Sequence, residues 1–136
     1  MESRLRAGVA AYNAGYHHAA HDAWEDYWLD LESGTDDERL LHGLIQFTAA
    51  VHHARGRNWE GAVGLAESAG EYLDGLPVDY HDVNVGTTRS FLAALAADPE
   101  VIERRRPPKL LVEGRTVELA DLDVEAVWIA APLLAE

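Results

Sequence analysis

The segment LLHGLIQFTAAVHHA, residues 40 to 54, carries no Asp, Glu, Lys or Arg in a chain that is 26% charged. At the usual quarter-charged composition, random placement leaves a given window of that length uncharged about one time in a hundred. Its two sides differ. At about 100° per residue, Leu40, Leu41, Leu44, Phe47, Thr48 and Val51 share one face, and His42, Gln46, Ala49 and His53 share the opposite one. An uncharged helix of this kind belongs at the centre of a bundle. Ala49 and Ala50 let a neighbouring helix approach, which makes Gln46 and His53 buried polar groups. Each then needs a hydrogen-bond partner, because an unmet one costs about 1 to 3 kcal/mol.

The preceding helix can supply partners. In HHAAHDAWEDYW, residues 17 to 28, the apolar stripe is His17, Ala20, Trp24, Tyr27 and Trp28, continued by Leu31. His21 and Glu25, four residues apart and so on one side, lie on its shoulder. Packing the two helices together is expected to gather His21, Glu25, Gln46 and His53 beside the indoles of Trp24 and Trp28. His17 is expected in the core, His18 in solvent, His52 nearer the Leu/Val side and His42 at the far end.

Two imidazoles and a carboxylate suit a divalent metal such as Zn, Fe, Ni or Mn, and a histidine oriented by a glutamate suits a general base acting on water. His21, Glu25 and His53 are therefore candidate metal ligands and candidate catalytic groups. Gln46, Trp24, Trp28 and Asn58 are candidate ligand-binding residues. HDAWE is not the HExxH zinc motif, since Asp22 and Glu25 stand where that motif has Glu and His. The competing reading is a helical scaffold or interaction module, in which the same cluster is a core network that fixes helix register.

Elsewhere the period is also helical. Helices are expected over residues 2 to 14, 16 to 32, about 36 to 55, about 59 to 74 and 85 to 97. Thr35 and Glu38 have capping-box spacing, Gly56 ends the third helix and Asn58 caps the fourth. LLVEGRTVEL reads as a short β-hairpin turning at Glu-Gly, and DVEAVWIAAPLLAE as a short helix or an extended tail. The expected fold is an all-α single domain of about five helices: residues 1–100 form the bundle, and 101–136 form an extension packed on it.

Composition narrows the setting. With 136 residues and no cysteine, the chain can bury one sizeable core and offers no disulfide, thiolate site or cysteine nucleophile. There are 24 acidic against 11 basic residues and a net charge of -13, which repels a phosphate polyanion, so no nucleic-acid partner is expected. RRRPPK at 104 to 109 reads as a solvated linker. Scarce lysine with abundant carboxylate is similar to proteins of salt-in halophiles. The opening MESRLRAGVAAYNAG has no continuous apolar run, and no stretch reaches membrane-span length, so a cytoplasmic protein without a membrane partner is expected.

Taken together, Gly15-Tyr16, His21 with Glu25 and then Trp28, Gly43-Leu44-Ile45-Gln46, His53, and Asn58 followed by Gly61-Ala62 resemble the small bacterial and archaeal proteins grouped as domain of unknown function 309. The resemblance covers about residues 10 to 76. Asp22 stands where the family commonly has Glu, and Gly56-Arg57-Asn58 where it has Gly-Asn. The resemblance implies an all-α bundle with no established activity.

Overall fold

The helical period holds along the chain, with six α-helices among the described residues where about five were expected. In the computed structural model, which describes residues 2–134, α1 spans Glu2–Asn13, α2 His17–Trp28, α3 Asp36–Arg55, α4 Trp59–Leu73, α5 Val85–Ala97 and α6 Val124–Leu134. The caps lie where the residue types place them. Thr35 Oγ1 accepts the Glu38 N–H at 3.4 Å, and Asn58 Oδ1 accepts the Gly61 N–H at 3.1 Å. α2 ends at Trp28, short of residue 32, in a run of turns that leads to Thr35. The ambiguous last segment is helical. Pro132 lies in the last turn of α6 on an exposed position, where the carbonyl left without its intrahelical donor can be met by water.

The core is built on α3. Leu40, Leu41, Leu44, Phe47 and Val51 are at most 2% exposed, and burying each such side chain is worth about 1.5 to 3 kcal/mol. Two glycines set the helix spacing. A Cβ on Gly43 would lie 2.6 Å from the Leu73 side chain of α4, and one on Gly8 would lie 2.0 Å from the Trp24 indole. The other face of α3, with His42, Gln46, Ala49 and His53, is only half-buried between α2 and α4.

The chain beyond α5 folds back onto α1. Val101, Leu110, Val112 and Val117 join the main core, while Ala126 and Ala130 pack against Ala7 and Ala23. Strands β1 (Leu111–Val112) and β2 (Arg115–Thr116) form the expected hairpin, pairing Leu111 with Thr116 and Val112 with Arg115. Glu113 and Gly114, with φ of 54° and 75°, supply the two left-handed residues that a tight hairpin turn requires. Among the described residues no helix is long and apolar enough to cross a membrane.

Candidate functional site

The polar residues of the α2–α3 face separate into three groups. The first is on α2. His21 Nδ1 lies 3.1 Å from Asp22 Oδ1 and 3.3 Å from Glu25 Oε2, with both His21 and Glu25 side chains 37% exposed. One atom from each of the three residues falls within 4.8 Å of the others, so the group can hold an ion. A neutral His21 instead donates from Nδ1 to the carboxylates, leaving the Nε2 lone pair to accept a proton. His21 and Glu25 meet as their spacing predicts. Asp22 was not among the expected ligands because neighbouring residues on a helix do not share a face.

The second group is the most buried. Glu38, 6% exposed, accepts from Trp28 Nε1 at 2.7 Å and from the Gly34 N–H at 3.0 Å. His42 Nδ1 lies 3.2 Å from the same carboxylate, and its Nε2 lies 3.3 Å from Gln46 Nε2. The His42 ring stacks on Tyr72 of α4 at 3.8 Å and leans against Trp28 at 4.5 Å. Burial pushes the Glu38 carboxyl up, but the Gly34 and Trp28 hydrogen bonds and the adjacent His42 outweigh it and hold the carboxyl below its usual range. A cavity of about 400 Å³ opens beside this group, lined by Trp28, Leu31, Glu38, Arg39, His42 and Tyr72.

Sequence reasoning gave the Glu38 carboxylate to a reciprocal capping box. The structure keeps only the Thr35 half of that box, because the carboxylate turns inward to Trp28 and Gly34. Glu38, His42 and Tyr72 are thus the members of this group that the sequence hid. Gln46 has its amide nitrogen here and not at His21, and its Oε1 is buried without a hydrogen-bond partner among the described residues.

The third group surrounds the α1–α2 turn and the end of α3. Asn58 Oδ1 is committed to the Gly61 N–H, which fixes the amide so that Nδ2 donates to His53 Nδ1 at 2.9 Å. With Nδ1 occupied, a neutral His53 carries its hydrogen on Nε2 and offers no lone pair to a metal or a proton. The expected ligand and base roles of His53 therefore do not fit this arrangement. Asn58 acts as helix cap and as orienter of His53. His17 stacks on His52 at 4.3 Å with 3° between the rings, and its Nδ1 is buried and unpartnered. Burial first, and then the imidazoles of His52, His18, His21 and His53, depress His17 to about 4.

No hydrogen bond or ion pair among the described residues joins Gln46 or His53 to the His21–Glu25 pair, so the expected four-residue cluster does not form as one unit. Trp24 also departs from expectation. It is 0% exposed and donates its indole N–H to the Leu5 carbonyl at 3.2 Å, which makes it a core residue of the α1–α2 contact.

An all-α bundle with carboxylate–imidazole groups on its α2–α3 face is the class that fold and site define. Residues 5–65 match the family described as Domain of unknown function (DUF309), so this part of the chain is similar to that family. The match runs from α1 into α4 and includes His21, Asp22, Glu25, Glu38, His42, Gln46, His53 and Asn58. Tyr72 and the whole return segment lie outside it. No curated protein matches the sequence.

Proposed function

We propose that this protein binds a divalent metal ion through His21, Asp22 and Glu25, and that the ion in turn holds a small polar ligand. The observation that carries the reading is the convergence of one imidazole nitrogen and two carboxylate oxygens within 4.8 Å on a single turn of α2. Ligand atoms about 2.0 to 2.2 Å from one ion lie roughly 3.0 to 3.6 Å from each other, and separations of 3.1 and 3.3 Å suit that sphere. One nitrogen and two oxygens fit Zn, Mn, Fe or Ni. Three donors from one helical turn can occupy only one side of the ion, and the half-exposed position leaves the other side to water or ligand. A metal there supplies Lewis-acid polarisation of a carbonyl or phosphoryl oxygen, the chemistry a hydrolytic role needs.

Elemental analysis of untagged protein, followed by calorimetric titration with Zn²⁺ and Mn²⁺, tests it. One ion per chain is expected, with affinity reduced at least about a hundredfold in His21→Ala and in Glu25→Ala, since loss of a direct ligand costs no less than the roughly 10- to 100-fold lost with an outer-shell partner. Unchanged affinity in both variants sinks the proposal.

A second reading rests on the Trp28–Glu38–His42–Gln46 chain, whose members hydrogen-bond one another and serve folding without any ligand. In it the protein is a helical scaffold and the polar groups fix helix register. Either way, we propose a high-salt cytoplasmic setting, supported by the net charge of -13. Molar KCl is then expected to raise the melting temperature above its millimolar value by screening carboxylate repulsion. Equal melting temperatures remove the halophilic reading.

A further inference from the structure

The basic run RRRPPK is not a free linker. Tyr12 donates its hydroxyl to the Pro108 carbonyl at 2.9 Å, and Lys109 Nζ donates to the Asn13 carbonyl at 2.6 Å. The Asn13 side chain bonds both the N–H and the carbonyl of Leu110, each at 2.9 Å. These contacts hold Arg106 and Lys109 beside the end of α1, where Arg55 arrives from the end of α3. A cavity of about 390 Å³ lies between them, lined by Tyr12, Asn13, Gly15, Arg55, Arg106 and Lys109 among others. A second, of about 220 Å³, shares Tyr12, Gly15 and Arg55 and adds His17 and His52.

No Asp or Glu lines either cavity, although the chain has 24 acidic residues against 11 basic ones. Among the described residues four of the eleven cations form ion pairs: Arg4 with Asp26, Arg57 with Glu103, Arg89 with Asp74 and Arg104 with Asp98. Arg55 and Arg106 have neither an ion pair nor a hydrogen bond among the described residues. Cations near the ends of α1 and α3 also compensate the free carbonyls there, and Lys109 does this for Asn13. Arg55, in the last turn of α3, compensates that helix end even without a bond, but no carbonyl takes up the N–H donors of either arginine among the described residues. His17, whose buried Nδ1 has no hydrogen-bond partner among the described residues, lines the adjoining cavity.

We propose that this pocket binds a small multivalent oxyanion, bearing phosphate or carboxylate groups, with Arg55 and Arg106 as the recognition forks and Lys109 as a supporting charge. Two guanidinium planes present paired N–H donors to such oxygens. The pocket is concave and set in an acidic surface, which admits a small anion and repels a long polyanion. The site is separate from the α2 metal group and stands without it.

The test is calorimetric titration of metal-stripped protein at low ionic strength with pyrophosphate and, separately, with citrate. Saturable binding of one molecule per chain is expected for at least one of them, and the preferred probe identifies phosphate or carboxylate as the natural chemistry. Arg55→Ser and Arg106→Ser are each expected to weaken it about tenfold, the worth of one charge-assisted contact. Arg115→Ser, on β2 and outside both cavities, controls for net charge and is expected to change affinity less than about twofold. Three results overturn the proposal: no saturation by either probe, an Arg115→Ser effect as large as that of Arg55→Ser, or tighter binding of a single-stranded oligonucleotide than of pyrophosphate. Both arginines are exposed, so the variants keep the fold, and melting curves verify it.

Discussion

Two histidine–glutamate pairs with the same four-residue spacing lie on adjacent helices and end in opposite surroundings. His21 and Glu25 on α2 are each 37% exposed, whereas His42 and Glu38 on α3 are 20% and 7% exposed. Spacing alone brings each pair together, since side chains one turn apart on a helix meet. What the pair then does depends on what covers it. Trp28 and Gly34 donate to Glu38, Gln46 takes the second nitrogen of His42, and Tyr72 covers the His42 ring. Nothing comparable seals His21 and Glu25, so their lone pairs stay available. The buried pair is tied into the core, and the half-open pair is the one we propose to meet a solute.

Glu38→Leu gives the largest expected effect on stability. It leaves the Trp28 indole N–H and the Gly34 N–H unpaired and deprives His42 of its charge partner, for a loss of about 3 to 5 kcal/mol. A shift in the urea denaturation midpoint measures it. A loss below about 1 kcal/mol would erase the contrast between the pairs.

Next in size is a dependence on pH that comes from His17. Its native value, about 4, lies below its ordinary 6.5. Between those values the unfolded chain binds the proton more readily, so stability falls as pH is lowered from about 6.5 toward 4. Glu38, and Asp37 held down chiefly by the hydrogen bond from the Tyr80 hydroxyl, begin to lose their stabilising contribution only as pH falls below the ordinary carboxylate range, and the loss is complete below their own lowered values. Replacing His17 by Phe keeps a ring against His52 and should flatten the upper part of this profile. A His17→Phe profile identical to that of the parent would assign the acid sensitivity elsewhere.

The smallest change in stability is expected from the double variant His21→Leu, Glu25→Met, within about 1 kcal/mol of the parent, because ion pairs this exposed contribute little. Gln46 and His53 need no compensating change, since their hydrogen bonds go to His42 and Asn58. The same variant should lose metal entirely. If it destabilises as much as Glu38→Leu, the α2 pair is structural and the metal reading loses its basis.

The helical pattern was legible because it depends on local properties. Thr35, Gly56 and Asn58 mark helix ends by backbone chemistry that does not wait for tertiary structure, and the apolar face of α3 is buried as its periodicity requires. The choice of His21, Glu25, Gln46 and His53 drew on the same periodicity, but that signal says which face a residue occupies and not which neighbour it meets. Glu38 was hidden because its spacing to Thr35 offered a local partner, while the burial that turns it inward comes from Trp28 and Tyr72. Trp24 was misplaced for a related reason. Its stripe faces α1 as well as α3, and only the absence of a side chain at Gly8 shows which helix receives the indole. The Arg55–Arg106 convergence was invisible, because it joins residues far apart in the chain through a return path that no periodicity encodes.

The bonds of Asn13 bear on how the molecule is made. Its amide ties the end of α1 to Leu110 and to the Val117 carbonyl, across separations of 97 and 104 residues. During synthesis, which proceeds from the N-terminus at about 5 to 20 residues per second, the first helix emerges long before the segment that completes it. For those seconds the end of α1 has no partner for Asn13, and the side of α1 that will carry Ala126 and Ala130 is open to water. α2, α3 and α4 can pair in order as they appear, but α1 cannot be finished until the segment from Leu110 to Ala130 is out. The residues of α1, made before the rest of the bundle, are among the last of it to reach their final surroundings.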